Sequence, residues 1–338
     1  MPSVGPATLS VLDLAPVATG SSPGEALRHS IELAQHVERL GYTRHWVAEH
    51  HNMPGIASSA PAVLIAHLAA ATTTLRVGSG GVMLPNHAPL VVAEQFGTLE
   101  ALHPGRIDLG IGRAPGTDQI TAYALRRSLD PDADDLPKLL AELRGYFRGT
   151  NGRIRATPGE GDEPQIWLLG SSDFSARLAA QLGLPFSFAH HFMPANTLGA
   201  LELYRSGFVP SADLDAPHAS IGVQVVVAET DERARYIHAP GGLSFLRLRR
   251  GEPGRFPSPE EAAAYEYTPA EREFVDRWTS THVVGSPETV RRELLELQRR
   301  TGADELIVTT MVHDHADRLR SYELLAEALS GADAARAA

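Results

Sequence analysis

Short apolar runs alternate with stretches of helical period along most of the chain. Residues 9–14 read as a strand. Ser22-Pro23-Gly24-Glu25 then has the form of a capping box, in which the serine hydroxyl takes the amide three residues on and the glutamate reaches back. Leu27, Ile31, Ala34, Val37 and Leu40 recur at helical spacing, and Gly41 is a natural stop. The alternation continues with strands at 44–49, 75–82, 107–111, 165–169, 185–189, 220–228 and 305–310. Helices are expected at 61–73, 90–102, 135–147, 174–182, 196–206, 287–300 and 315–329. Residues 231–281, polar and rich in Gly, Pro and Arg, interrupt this rhythm and read as an insertion with short helices.

Eight strands result, each followed by a helical segment. Their apolar runs lack polar alternation, which suits a parallel sheet buried on both faces. Eight such units close best as a (β/α)8 TIM barrel, with a doubly wound sheet as the rival arrangement. The expectation is a single barrel over residues 1–330. Residues 231–281 would be a lid or insertion after the seventh strand, and 331–338 a frayed tail.

Composition narrows the class. At 338 residues and 43% apolar, the chain can bury one large core. No apolar run is long enough for a membrane helix, and the N-terminus lacks the form of a secretory signal. The absence of cysteine excludes disulfides, thiolate zinc sites and a cysteine nucleophile, and fits the cytoplasm. A formal charge of −11 argues against a nucleic-acid footprint or an anionic-membrane surface.

Candidate chemistry follows the strands, where a barrel keeps its active site. Glu49-His50-His51-Asn52 comes after the second strand. Its histidines could serve acid–base work or, with His313, a metal. Gly78-Ser79-Gly80-Gly81 in the third lets backbone approach a flat ligand, although methionine at 83 breaks a dinucleotide fingerprint. Arg113 in a glycine-rich bend after the fourth strand could hold a phosphate by two parallel hydrogen bonds. Ser171, Ser172 and Ser175 open a helix after the fifth, where free amides and a partial positive charge suit a phosphate. Asp173 in the same turn is expected to point outward. The set suits a flat ring with a phosphate tail.

Four segments carry a likeness to a known family: Glu49-His50-His51, residues 77–85 (VGSGGVMLP), residues 104–115 (PGRIDLGIGRAP) and residues 170–185 (GSSDFSARLAAQLGLP). With them, in this order and spacing, the chain resembles the luciferase-like flavin-dependent monooxygenases over most of residues 9–327. The resemblance implies a (β/α)8 barrel, usually a homodimer, that uses reduced FMN and O2 on a small organic substrate. A separate NAD(P)H:flavin reductase is a further implied partner. It implies His50 as catalytic histidine, Arg113 as phosphate ligand and Ser172 and Ser175 as hydroxyl contacts. Ser171 would act through its amide, Gly80 and Gly81 would lie beneath the flavin ring at a cis peptide, Ser79 beside them would also contact the cofactor, and Glu94 would sit at an acidic position near it. No metal is expected. Gly112 stands where light-emitting members carry a reactive cysteine, which argues against light emission, and residues 231–281 do not align. F420 is the alternative cofactor. A metal-dependent barrel hydrolase and a flavin-binding protein without turnover are the alternative functions.

Overall fold

The computed structural model describes residues 8–114, 118–125 and 135–336, with side chains described to Ser330. Pro115 and Gly116, at the end of the expected arginine bend, lie outside these residues, as do residues 337–338 of the tail. The N-terminal half runs β1 (Thr8–Asp13), α1 (Pro23–Arg39), β2 (Arg44–Val47), α2 (Pro61–Ala71), β3 (Arg76–Met83), α3 (Pro89–Leu102), β4 (Ile107–Gly112), α4 (Gln119–Ala124), α5 (Leu136–Phe147), β5 (Gln165–Gly170) and α6 (Asp173–Leu182). It continues through β6 (Phe186–Phe188), α7 (Thr197–Ser206), β7 (Ala219–Val227), α8 (Asp231–Arg249), α9 (Pro259–Ala264), α10 (Pro269–Thr279), β8 (Val283–Gly285), α11 (Pro287–Thr301), β9 (Glu305–Thr309) and α12 (His315–Arg336).

Strands β1 to β7 and β9 form a closed parallel barrel, with β9 between β1 and β7 and the ring completed by β6 on β7. The capping box of α1 is present: the Glu25 amide donates to Ser22 Oγ at 3.3 Å and the Ser22 amide to the Glu25 carboxylate at 2.8 Å. Glycines 41, 183 and 302 follow helices α1, α6 and α11 with φ of 81°, 64° and 60°, a region that only glycine enters at little cost. Four features depart from the sequence expectation. Helix α4 has no counterpart in it, and α12 runs to Arg336 through part of the tail expected to fray. Val283–Gly285 is a ninth, short strand that pairs with the end of β7. Residues 231–281 begin not with a short helix but with the 19-residue α8, which continues through Pro240-Gly241-Gly242. Tertiary packing overrides that breaker signal: a side chain at Gly242 would meet Val275 Cγ1 of α10 at 2.6 Å.

Outward-facing strand residues such as Val77, Leu109, Val223 and Val308 pack against the helices in one continuous core. Inside the barrel, Leu12, Trp46, Trp167 and Ile307 form a separate plug. Trp46 meets Trp167 edge to face at 5.1 Å, with Arg44 over the Trp167 ring at 4.7 Å. Arg44 bonds Asp108 and Glu305, each at 2.7 Å. The barrel interior below the strand ends is thereby filled. At the end of β1, buried Asp13 accepts from the Ala15 amide at 2.7 Å, Ser30 Oγ at 2.6 Å and Arg318 at 2.6 Å. Burial opposes that charge, but Arg318, His45 and Ser30 outweigh it and hold the carboxyl far below its usual range. Among the described residues, no helix is long and apolar enough to cross a membrane.

Candidate active site

A cavity of about 440 Å³ opens at the carboxyl ends of the strands, within the size range of small-molecule sites. Its floor is the top of the aromatic plug, Leu12, Trp46 and Leu169, beside the bare backbone of Gly80 and Gly81. The Gly80–Gly81 peptide is cis. Neither glycine can carry a side chain: a Cβ on Gly80 would lie 2.7 Å from Leu12 Cδ1, and one on Gly81 2.6 Å from the Gly110 carbonyl.

Arg113, Ser171, Ser172 and Ser175 line one side. Arg113 follows β4, and its guanidinium lies over the Phe174 ring at 4.7 Å, which holds it against the first turn of α6. Ser172 is the N-cap of α6 in extended backbone, and its hydroxyl makes no cap hydrogen bond to the helix. The free amides and partial positive charge of that end therefore coincide with an arginine and three serines. Asp173, the one acidic residue of the turn, is exposed and does not line the cavity.

His50 enters from the segment after β2. Its backbone amide donates to Ser58 O at 3.2 Å, and its Nδ1 is buried without a protein partner. Burial pushes the imidazole down to about 4, with Glu49 opposing and His51 reinforcing the shift. His50 is therefore neutral near pH 7. Glu49 is held in place rather than available: it accepts from the Met83 amide at 3.0 Å and contacts His51 at 2.9 Å and His87 at 2.8 Å.

Two expected cofactor contacts are not brought to the cavity. Ser79 is fully buried, and its hydroxyl donates to Gly110 O at 2.9 Å. Strand alternation explains this: Gly80 faces the barrel interior, so Ser79 faces the helices. Glu94 lies on α3 in the outer layer, away from the cavity lining. The histidines considered for metal are likewise apart, since His51 pairs with Glu49 and His313 bonds Thr19 O at 3.1 Å. Among the described residues, no group of three or more His, Cys, Asp or Glu side chains could hold a metal ion.

Sequence reasoning missed the rest of the lining. His191 and Phe192 follow β6, Gln224 lies on β7, and Phe245, Trp278 and His282 come from residues 231–282. For His191 a signal existed, because it directly follows a barrel strand. His282 precedes a three-residue strand too short to recognise.

A closed (β/α)8 barrel with a cofactor-sized cavity over the strand ends, an arginine–serine rim and a neutral histidine describes a class of barrel enzymes. Comparison with known proteins makes it specific. The model of the luciferase-like monooxygenase family matches residues 8–305. A luciferase-like monooxygenase of Escherichia coli strain K12 is 51% identical over 317 residues, 93% of this chain and 95% of that protein. The N-acetyl-S-alkylcysteine monooxygenase of Bacillus subtilis strain 168 is 34% identical, over 96% of this chain and 98% of its own length. The crystal structure of apo-MsnO8 superposes with a TM-score of 0.89 at 44% identity, covering 96% of this chain and 98% of that one. The chain belongs to the luciferase-like monooxygenase family.

Proposed function

We propose that this protein is an FMN-dependent monooxygenase that uses reduced flavin and O2 to oxygenate a small organic substrate. One observation carries the reading: Arg113 and the opening turn of α6 share a cavity with the bare Gly80-Gly81 backbone and neutral His50. The phosphate would bind Arg113, the unspent Ser172 hydroxyl, Ser175 and the Ser171 amide, and the ring would lie against Gly80 and Gly81. When bound in its reduced form, the flavin supplies the electrons that activate O2.

His50, kept neutral by burial, has a ring lone pair and takes or returns a proton at the reacting centre. Helices α8 and α10 contribute Phe245, Leu248 and Trp278 to the cavity and would exclude water from it. FMN is favoured over F420 because Arg113 is the only formally charged residue in the described lining, which suits one short phosphate better than a long polyanionic tail.

Reduced flavin would come from a separate NAD(P)H:flavin reductase or from reduction in place. The assembly is proposed as a homodimer, supported by the exposed Val63, Val91 and Leu102 on helices α2 and α3. The test is a side-by-side titration with FMN, reduced FMN and F420, followed by O2 uptake with a flavin reductase supplied. Tighter binding of either FMN form than of F420 is expected, and preferred binding of F420 overturns the reading.

A further inference from the structure

The part of the cavity lining supplied by α8, α10 and His282 has a chemistry that the flavin and His50 leave unused. Phe245 of α8 stacks on Trp278 of α10 at 4.2 Å and 10°. Trp278 in turn meets the His282 ring edge-on at 4.3 Å and 80°. His282 is 8% exposed, and its Nδ1 lies 2.9 Å from Nε2 of His238, which is 7% exposed. His282 Nε2 is buried and has no partner in the protein. Buried polar atoms are almost always paired, because an unpaired one forfeits its hydration. A cavity-lining imidazole with one nitrogen bound and the other unpaired marks a position for a ligand atom.

The wall is also uncharged. Among the described residues that line the cavity there is no Asp, Glu or Lys, and Arg113 lies against Phe174 of α6. His191 also lines the cavity and is engaged through Nδ1 with the Gly222 carbonyl at 3.0 Å. Burial keeps His191, His238 and His282 neutral near pH 7. An ionic group moved here would lose its hydration without a counter-ion. With Nδ1 accepting from His238 Nε2–H, the neutral His282 ring offers an Nε2–H that a carbonyl or hydroxyl oxygen can accept.

We propose that His282, oriented by His238, is a specificity-determining residue that hydrogen-bonds a carbonyl or hydroxyl of an uncharged, flat apolar substrate lying against Trp278 and Phe245. That this ligand is the molecule oxygenated rests on the monooxygenase reading above; that the wall selects such a ligand does not.

Calorimetric titration of the full chain with acetophenone, ethylbenzene and benzoate separates the terms. Acetophenone is expected to bind about 3- to 10-fold tighter than ethylbenzene, the worth of one neutral hydrogen bond, and benzoate weakest. His282→Phe should erase the carbonyl preference, and His282→Gln should restore part of it. In the wild-type protein, the ring 15N resonances of His282 should shift with acetophenone and not with ethylbenzene, a readout independent of how the variants fold. Equal binding of the two neutral probes, tighter binding of benzoate, or an unchanged preference in His282→Phe overturns the proposal. An FMN titration on the same protein keeps the two readings apart. Carbonyl selectivity without FMN binding refutes the flavin assignment alone, and FMN binding without carbonyl selectivity refutes this one alone.

Discussion

Acidification is expected to unfold this protein through the histidines around its cavity, in a pH window of their own. Burial holds His50, His191 and His238 at about 4 and His282 at about 3, against an ordinary value of 6.5. As pH falls below that ordinary value, the unfolded chain takes up these protons while the folded chain refuses them. Stability is therefore full above pH 6.5 and is lost as pH falls toward 4. One proton of difference is worth about 1.4 kcal/mol per pH unit. Integrated between about pH 6.5 and pH 5.5, each histidine contributes roughly 1 kcal/mol, so the four together set a ceiling of about 4 kcal/mol. That is a large part of a typical stability of about 5–15 kcal/mol. The depressed carboxylates, Asp13, Glu49 and Glu305, act in the same direction, but only below their ordinary values of 3.8 to 4.5, outside this window. Urea unfolding at pH values across the window measures the slope. His190 and His315 are lowered by burial too and act in the same window, so the double variant His238→Gln, His282→Gln should lose about a third of the slope. A flat profile, or the same slope in that variant, refutes the claim that these rings are buried neutral.

The other predictions concern single residues. His50→Ala should lower turnover by roughly 10²- to 10⁴-fold with FMN affinity retained, in a steady-state assay with reduced flavin supplied; undiminished turnover removes His50 from the chemistry. Arg113→Ala should weaken FMN binding by about 1.5–3 kcal/mol, the worth of a hydrogen bond to a charged group, and equal affinity by calorimetry reassigns the phosphate rim. Asp13→Ala strands the buried Arg318 guanidinium and should destabilise the fold by about 3–5 kcal/mol in urea, whereas a loss below about 1 kcal/mol shows that the pair contributes little.

The barrel was legible before any coordinates because its signals are local. Apolar runs of strand length, the Ser22–Glu25 capping box and the glycine stop at 41 each act within a few residues. The His50 loop, the Gly80-Gly81 backbone, Arg113 and the serines before α6 were legible for a related reason: each follows or ends a strand, where this fold gathers ligands. Ser79 failed because a one-residue step along a strand reverses the face a side chain occupies, and Glu94 failed because α3 turns that position away from the mouth.

Chain order alone carried the layers, the parallel strands and the side of the barrel on which chemistry is done. Tertiary structure alone decided which residues meet there from far apart in sequence. Phe245, Trp278 and His282 come together through helix packing that carries α8 across Pro240. The neutrality of the cavity histidines is likewise decided by burial, a property of the whole enclosure that no single stretch of sequence encodes.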